Sequence, residues 1–116
     1  MAACPFCEIV AGRASATVEY EDGEVLAFRD IYPKAPVHLL IVPKRHVESV
    51  MALEPEDAPL VGRMVLVAKK IGDAQGLAEG GYRLAFHCGP EGGQVVSHLH
   101  LHFLAGRRDE RKVERR

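Results

Sequence analysis

The sequence predicts a single small domain that mixes strands with one long helix, and three stretches carry that expectation. Gln94 to Leu104 alternates apolar and polar residues, the period of a half-buried strand. Val37 to Val42 is apolar except for His38 and is closed by Pro43, which reads as a buried central strand. Leu60, Met64, Val67, Ala68 and Ile71 recur at helical spacing. They follow Glu54-Pro55-Glu56-Asp57, a helix start with proline and acids in the first turn.

The remaining elements fall between these. Cys7 to Ala11 makes a short helical turn closed by Gly12. Thr17 to Glu21 and Glu24 to Arg29 read as strands on either side of an Asp22-Gly23 hairpin turn. Asp30 to Pro36 holds two prolines and is a fixed loop. Val47 to Leu53 is a short helical lead-in to the long helix. Lys69 and Lys70 suit that helix's C-terminal dipole, and Gly72 or Gly76 ends it. Gly80-Gly81 turns the chain into a strand over Tyr82 to His87, and Cys88 to Gln94 is a glycine-rich loop.

Length and charge narrow the classes of function. A chain of 116 residues buries one core. A net charge of −1 gives no field directed at nucleic acid or an acidic membrane. Nothing resembles a signal peptide, and no run approaches the roughly 18 apolar residues of a membrane span. Three cysteines, an odd count, argue against a disulfide framework and suit a reducing cytoplasm. Residues 107–116 hold six basic and three acidic residues and read as a solvated terminus. The expected division is a domain over 1–107 with a basic tail over 108–116.

The chemistry concentrates at His98, His100 and His102. On a strand they share one face, spaced roughly 7 Å apart, while Leu99, Leu101 and Phe103 face the core. Imidazoles near neutral pH serve as ligands, proton carriers or nucleophiles. Gly89, Gly92 and Gly93 just before them let backbone amides approach an anion closely. A neutral imidazole can attack phosphorus while its neighbours hold developing charge, so the juxtaposition suits transfer of a phosphorus group. No G-x-x-x-x-G-K-[ST] loop is present, which excludes a P-loop enzyme.

Elsewhere the residues leave alternatives open. His38 sits within an apolar run and needs a partner. Asp30, at a strand end, can cap a turn or accept hydrogen bonds from a sugar diol. Cys4-Pro5-Phe6-Cys7 reads as half a zinc site, as a weak redox pair, or as two small buried residues. His46, leaving the strand after Pro43, is a candidate third ligand.

His98-Leu99-His100-Leu101-His102-Phe103-Leu104 resembles the signature of the histidine-triad superfamily, in which three histidines alternate with apolar residues. Phe28 to His38, Ile41 to His46 and Gly92-Gly93-Gln94 are similar to its nucleotide-binding branch. The likeness runs from Cys4 to about Arg107. It implies an α+β fold with an antiparallel sheet of about five strands, one main helix and a short N-terminal one, assembled as a homodimer. It implies hydrolysis or transfer at the α-phosphate of nucleotide conjugates: nucleoside phosphoramidates, aminoacyl adenylates or dinucleoside polyphosphates.

Residue by residue, the resemblance makes His100 the nucleophile, oriented by the backbone carbonyl of His98. His102 would contact phosphate oxygens and His38 would complete the polar cluster. Asp30 would bind the ribose of an AMP-like purine nucleotide. Phe6, Phe28 and Ile31 would line the base pocket, and Gly93 and Gln94 would contact phosphate. Members of bacterial type carry an N-terminal Cys-x-x-Cys with structural zinc, which maps to Cys4, Cys7, His46 and His98. His98 would then be unavailable to phosphate. No organic cofactor is implied.

Two nucleotide-site positions depart from the branch: His87 stands where asparagine is common, and Val95 where a serine assists the leaving group. Trp is absent from the chain, so the Trp-containing tail of some members is missing. Two further readings stay beside the enzyme: a purine nucleotide-binding or interaction module with little catalysis, and a zinc sensor.

Overall fold

The computed structural model describes residues 4–106, so the basic tail expected over 108–116 lies outside the described residues. A helix α1 (Pro5–Val10) leads to strands β1 (Val18–Glu21), β2 (Val25–Arg29) and β3 (Val37–Pro43). The long helix α2 (Ala58–Ala74) and strands β4 (Tyr82–Phe86) and β5 (Leu101–Ala105) complete the domain. The five strands form one antiparallel sheet in the order β1-β2-β3-β5-β4. This is the expected α+β architecture, with one main helix and a short one.

The sheet buries both faces, which explains why β3 reads as a nearly continuous apolar run. Alternate residues divide between two clusters. Val25, Ala27, Leu39, Ile41, Leu101, Phe103 and Ala105 pack against Met64, Val67, Ala68 and Ile71 of α2. Leu26, Phe28, Leu40 and Val42 face the other way and pack with Phe6 of α1. His38 and His102 lie in the same alternation as this second set, on the face that α2 does not cover.

The helices differ from expectation at their ends. Pro55–Asp57 forms a tight 3-10 turn that runs into α2, where the Asp57 carboxylate accepts from the Glu54 N–H at 2.9 Å and from Arg45 at 2.6 Å. Only Val50–Ala52 of the Val47–Leu53 lead-in is helical, also as a 3-10 turn. Gly76, at φ 71°, follows the end of α2, whereas Gly72 lies inside it. A Cβ on Gly72 would sit 2.5 Å from the Tyr82 ring, which is itself stacked on Phe103 at 4.6 Å between centroids. Gly72 is therefore a packing residue, and it lets α2 lie close on β4.

The main difference concerns the histidine stretch. A strand over Gln94–Leu104 is expected, but the ladder begins only at Leu101. Before it, the chain is tied to the segment after β3 instead of to β4. The Leu99 N–H donates to the Val47 carbonyl at 2.6 Å, and the Gln94 amide donates to the Glu48 carbonyl at 2.7 Å. Alternation persists without the ladder: Leu99 is buried beside α2, while His98 and His100 are buried on the opposite side. Among the described residues no helix is long and apolar enough to cross a membrane.

Candidate functional site

A cavity of about 700 Å³ opens on the sheet face away from α2. That volume falls within the roughly 300–1,000 Å³ usual for small-molecule sites. Its walls include Phe6, Phe28, Asp30, Ile31, His38, His87, Gly93, Val95, His100 and His102. Nearly every residue expected to contact a nucleotide is thus gathered in one place. Phe6 and Phe28 meet edge to face at 5.4 Å and form an apolar wall. Ile31 and Val95 stand at the rim, 80% and 90% exposed.

Hydrogen bonding sets the protonation of each histidine. The Nδ1 of His100 lies 2.7 Å from the backbone carbonyl of His98. A carbonyl can only accept, so Nδ1 carries the proton and Nε2 keeps its lone pair. The Lys34 N–H donates to Nδ1 of His38 at 3.0 Å, so the proton of neutral His38 sits on Nε2. That Nε2 lies 3.1 Å from Nδ1 of His102, which accepts it. The remaining proton of His102 is on Nε2, and this buried atom has no partner. An unpaired buried donor is costly, and an acceptor in the cavity would satisfy it.

The same environment keeps these rings neutral. Burial lowers the pKa of His38, His98 and His100 below the ordinary histidine value. For His102, burial and then the neighbouring His100, His87 and His38 push it down to about 4. Asp30 spends one oxygen on the Tyr32 N–H at 2.8 Å and holds the other 3.4 Å from Nε2 of His38. Asp30 thus caps its own turn and also lines the cavity.

His98 points away from the cavity. Its Nε2 donates to the Pro43 carbonyl at 2.9 Å, which leaves Nδ1 as an electron-pair donor. That atom lies 3.2 Å from Cys4 Sγ, 3.6 Å from Cys7 Sγ and 3.2 Å from Nδ1 of His46. Cys7 Sγ is 3.2 Å from the same His46 atom. Zinc bond lengths imply tetrahedron edges of about 3.3–3.8 Å, so the four donors could hold a metal ion. Without a cation the Cys7 thiol is pushed up to about 11, by burial and by Cys4, and a bound cation would reverse that cost. Asp30, His38 and His102 also cluster closely. They do not suit a metal, because the Lys34 amide keeps the proton on the His38 atom that would have to ligate.

Gln94 is placed differently from expectation. Its side chain accepts from Gly89 N–H at 2.9 Å and donates to the Glu48 and Val96 carbonyls, so it staples the loop. Gly92 allows that loop to close, since a Cβ there would lie 2.3 Å from the Cys88 carbonyl oxygen. Sequence reasoning missed Lys34, whose backbone amide sets the His38 tautomer, and Arg83, which also lines the cavity. The alternation of β4 could have found Arg83, two residues from Ala85 and four from His87. Nothing in the sequence signals the Lys34 amide.

Comparison with known proteins agrees with this geometry. Residues 3–116 match the family model described as scavenger mRNA decapping enzyme C-term binding. Protein HitA of Neisseria gonorrhoeae is 45% identical over 101 residues, covering 87% of this chain and 94% of that protein. The purine nucleoside phosphoramidase of Escherichia coli is 42% identical over 102 residues, covering 88% and 86% respectively. A crystal structure of a HIT family hydrolase from Legionella pneumophila superposes with a TM-score of 0.89 at 48% identity, covering 91% of this chain and 95% of that one. A histidine triad protein from Clostridium difficile gives 0.89 at 40% identity, covering 95% and 96%.

The His102 environment predicts a pH dependence of stability. Its pKa in the folded chain is about 4, against an ordinary value of 6.5. Between these values the unfolded chain binds a proton that the folded chain does not, so stability falls as pH drops from 6.5 toward 4. Urea unfolding across that range is expected to show a slope that His102→Gln reduces, by at most about 1.4 kcal/mol per pH unit. An unchanged slope in the variant contradicts the assignment.

Proposed function

This chain belongs to the histidine-triad family, and on that premise we propose that it is a hydrolase or transferase acting at the α-phosphate of nucleotide conjugates. The observation that carries this reading is the 2.7 Å contact from His100 Nδ1 to the His98 carbonyl, which leaves Nε2 as a free nucleophile at the cavity. The nucleoside occupies the apolar wall of Phe6, Phe28 and Ile31, with its ribose against Asp30. The α-phosphate lies at His100, with Gly93 and the unpartnered Nε2–H of His102 to receive its oxygens.

In the first step His100 Nε2 bonds to the α-phosphorus, and the bond to the leaving group breaks with its electron pair. In the second, water attacks phosphorus and releases a proton to solvent, the N–P bond returns its pair to Nε2, and the nucleoside monophosphate departs. His38 and His102 remain neutral throughout, His38 donating to His102 Nδ1 and His102 offering its Nε2–H to a phosphate oxygen. The His98 carbonyl stabilises the positive charge that His100 bears while phosphorylated.

Zinc held by Cys4, Cys7, His46 and His98 would supply a closed structural cross-link with no open position for water or substrate. A homodimer is supported by the free edge of β4 and by Val65 and Leu66, exposed on α2 at 41% and 63%. A cytoplasmic site of action is supported by the odd, unpaired cysteines. Native mass spectrometry reads assembly and metal together: two chains with one zinc each are expected, and a metal-free monomer contradicts both.

The second reading is a nucleotide-binding module with little catalysis. It is favoured by Val95, which offers no hydroxyl to a departing amine. Turnover of adenosine 5′-phosphoramidate, an aminoacyl adenylate and a diadenosine polyphosphate separates the two. His100→Asn is expected to lower turnover of the cleaved substrate by at least about a thousandfold while AMP still binds. Full activity in the variant sinks the enzyme reading, and AMP binding without cleavage of any substrate by wild type selects the module.

A further inference from the structure

Strand order lays the cavity out in sequence. β2, with Phe28 and Asp30 at its end, lies on one side, β3 and β5 with His38 and His102 are central, and β4 lies on the other. A nucleoside against Phe28 and Asp30 and an α-phosphate at the imidazoles leave the β4 side for the leaving group. The residues there that reach the cavity are Arg83 and His87. Tyr82 points to α2, so Arg83 points to the cavity. Arg83 pairs with Leu104, which pairs in turn with His38. Arg83 therefore stands in the His38 row, two strands or about 10 Å away. Lys34 lines the same cavity next to the His38 ring.

Charge pairing sets these two residues apart. Among the described residues, Arg13, Arg29, Arg45 and Arg63 each pair with a carboxylate, as do Lys44 and Lys69, and Lys70 lies over the Tyr20 ring. The side chains of Lys34 and Arg83 have no such partner. Among the described residues Asp30 is the sole carboxylate lining the cavity, and it follows β2 on the nucleoside side. Arg83 thus stands on the side where the departing group would sit, and Lys34 lines the same cavity beside His38.

We infer that Lys34 and Arg83 form an anion seat for the leaving group, which selects nucleotides joined through a phosphoanhydride to a further phosphate. This inference rests on the reading of His100 as acting at the α-phosphate. When His100 Nε2 bonds to the α-phosphorus, the bond to the bridging oxygen breaks and that oxygen keeps the electron pair. A phosphate leaves as an anion and needs charge stabilisation but no proton, which an Arg and a Lys supply. An amine needs a proton as it leaves, and Val95 has none to give. The lining of the site thus favours the phosphate.

Binding tests this apart from turnover. Calorimetry compares AMP with α,β-methylene-ADP, which adds one uncleavable phosphate, in wild type and in Lys34→Gln/Arg83→Gln. Wild type is expected to bind the methylene compound about tenfold or more tightly than AMP. In the double variant that ratio is expected to fall to within about twofold. No preference in wild type, or a ratio that survives in the variant, overturns the inference. The kcat/KM ratio of diadenosine tetraphosphate to adenosine 5′-phosphoramidate is expected to fall about tenfold or more in the variant. Cleavage of the phosphoramidate alone overturns the anion seat and leaves the function standing. Failure of AMP to bind wild type overturns both.

Discussion

The hydrogen bond from His100 to the His98 carbonyl is the contact on which the site depends. At 2.7 Å it fixes the tautomer of the ring and aims its free nitrogen. The carbonyl itself is held because the His98 ring is anchored twice, by the Pro43 carbonyl and by the Cys4, Cys7 and His46 cluster. One residue thus faces two places, its backbone toward the cavity and its side chain toward a cluster that could hold a metal ion. Phe6 sits between them, edge-on to both rings at 5.8 and 5.1 Å. A six-residue helix is too short to persist alone, so α1 is held by this cluster and by its burial against β2 and β3.

The arrangement has a thermodynamic cost that the fold absorbs. Four buried or half-buried histidines are kept neutral, and one buried donor lacks a partner. The strands compensate by burying apolar residues on both faces, with α2 on one side and the Phe6 cluster on the other. An α-phosphate at His102 would satisfy the orphan donor, which couples ligand binding to stability.

Much of this was legible in the residues themselves. Strands and the long helix follow from period and turn chemistry, and Cys4, Cys7, His46 and His98 stand close enough together that they could hold a metal ion. What escaped depends on backbone groups and on non-local contacts. The ladder of β5 starts late because Val47 and Glu48 capture the preceding segment, a pairing that alternation cannot reveal. Gln94 reads as a phosphate ligand by position, yet its amide is engaged with three backbone groups of its own loop and of the Glu48 segment. The tautomer of His38 is set by the Lys34 amide, which carries no side-chain signature. Arg83 becomes conspicuous only once the other described arginines are seen to be paired.

The central claim is that His100 carries the nucleotidyl group between the two steps. The direct measurement is rapid acid-free quenching of the enzyme with a nucleotide substrate labelled at the α-phosphate, followed by peptide mapping. The account predicts a transient label on the His100 imidazole. Label on His98 or His102, or none during active turnover, would contradict it.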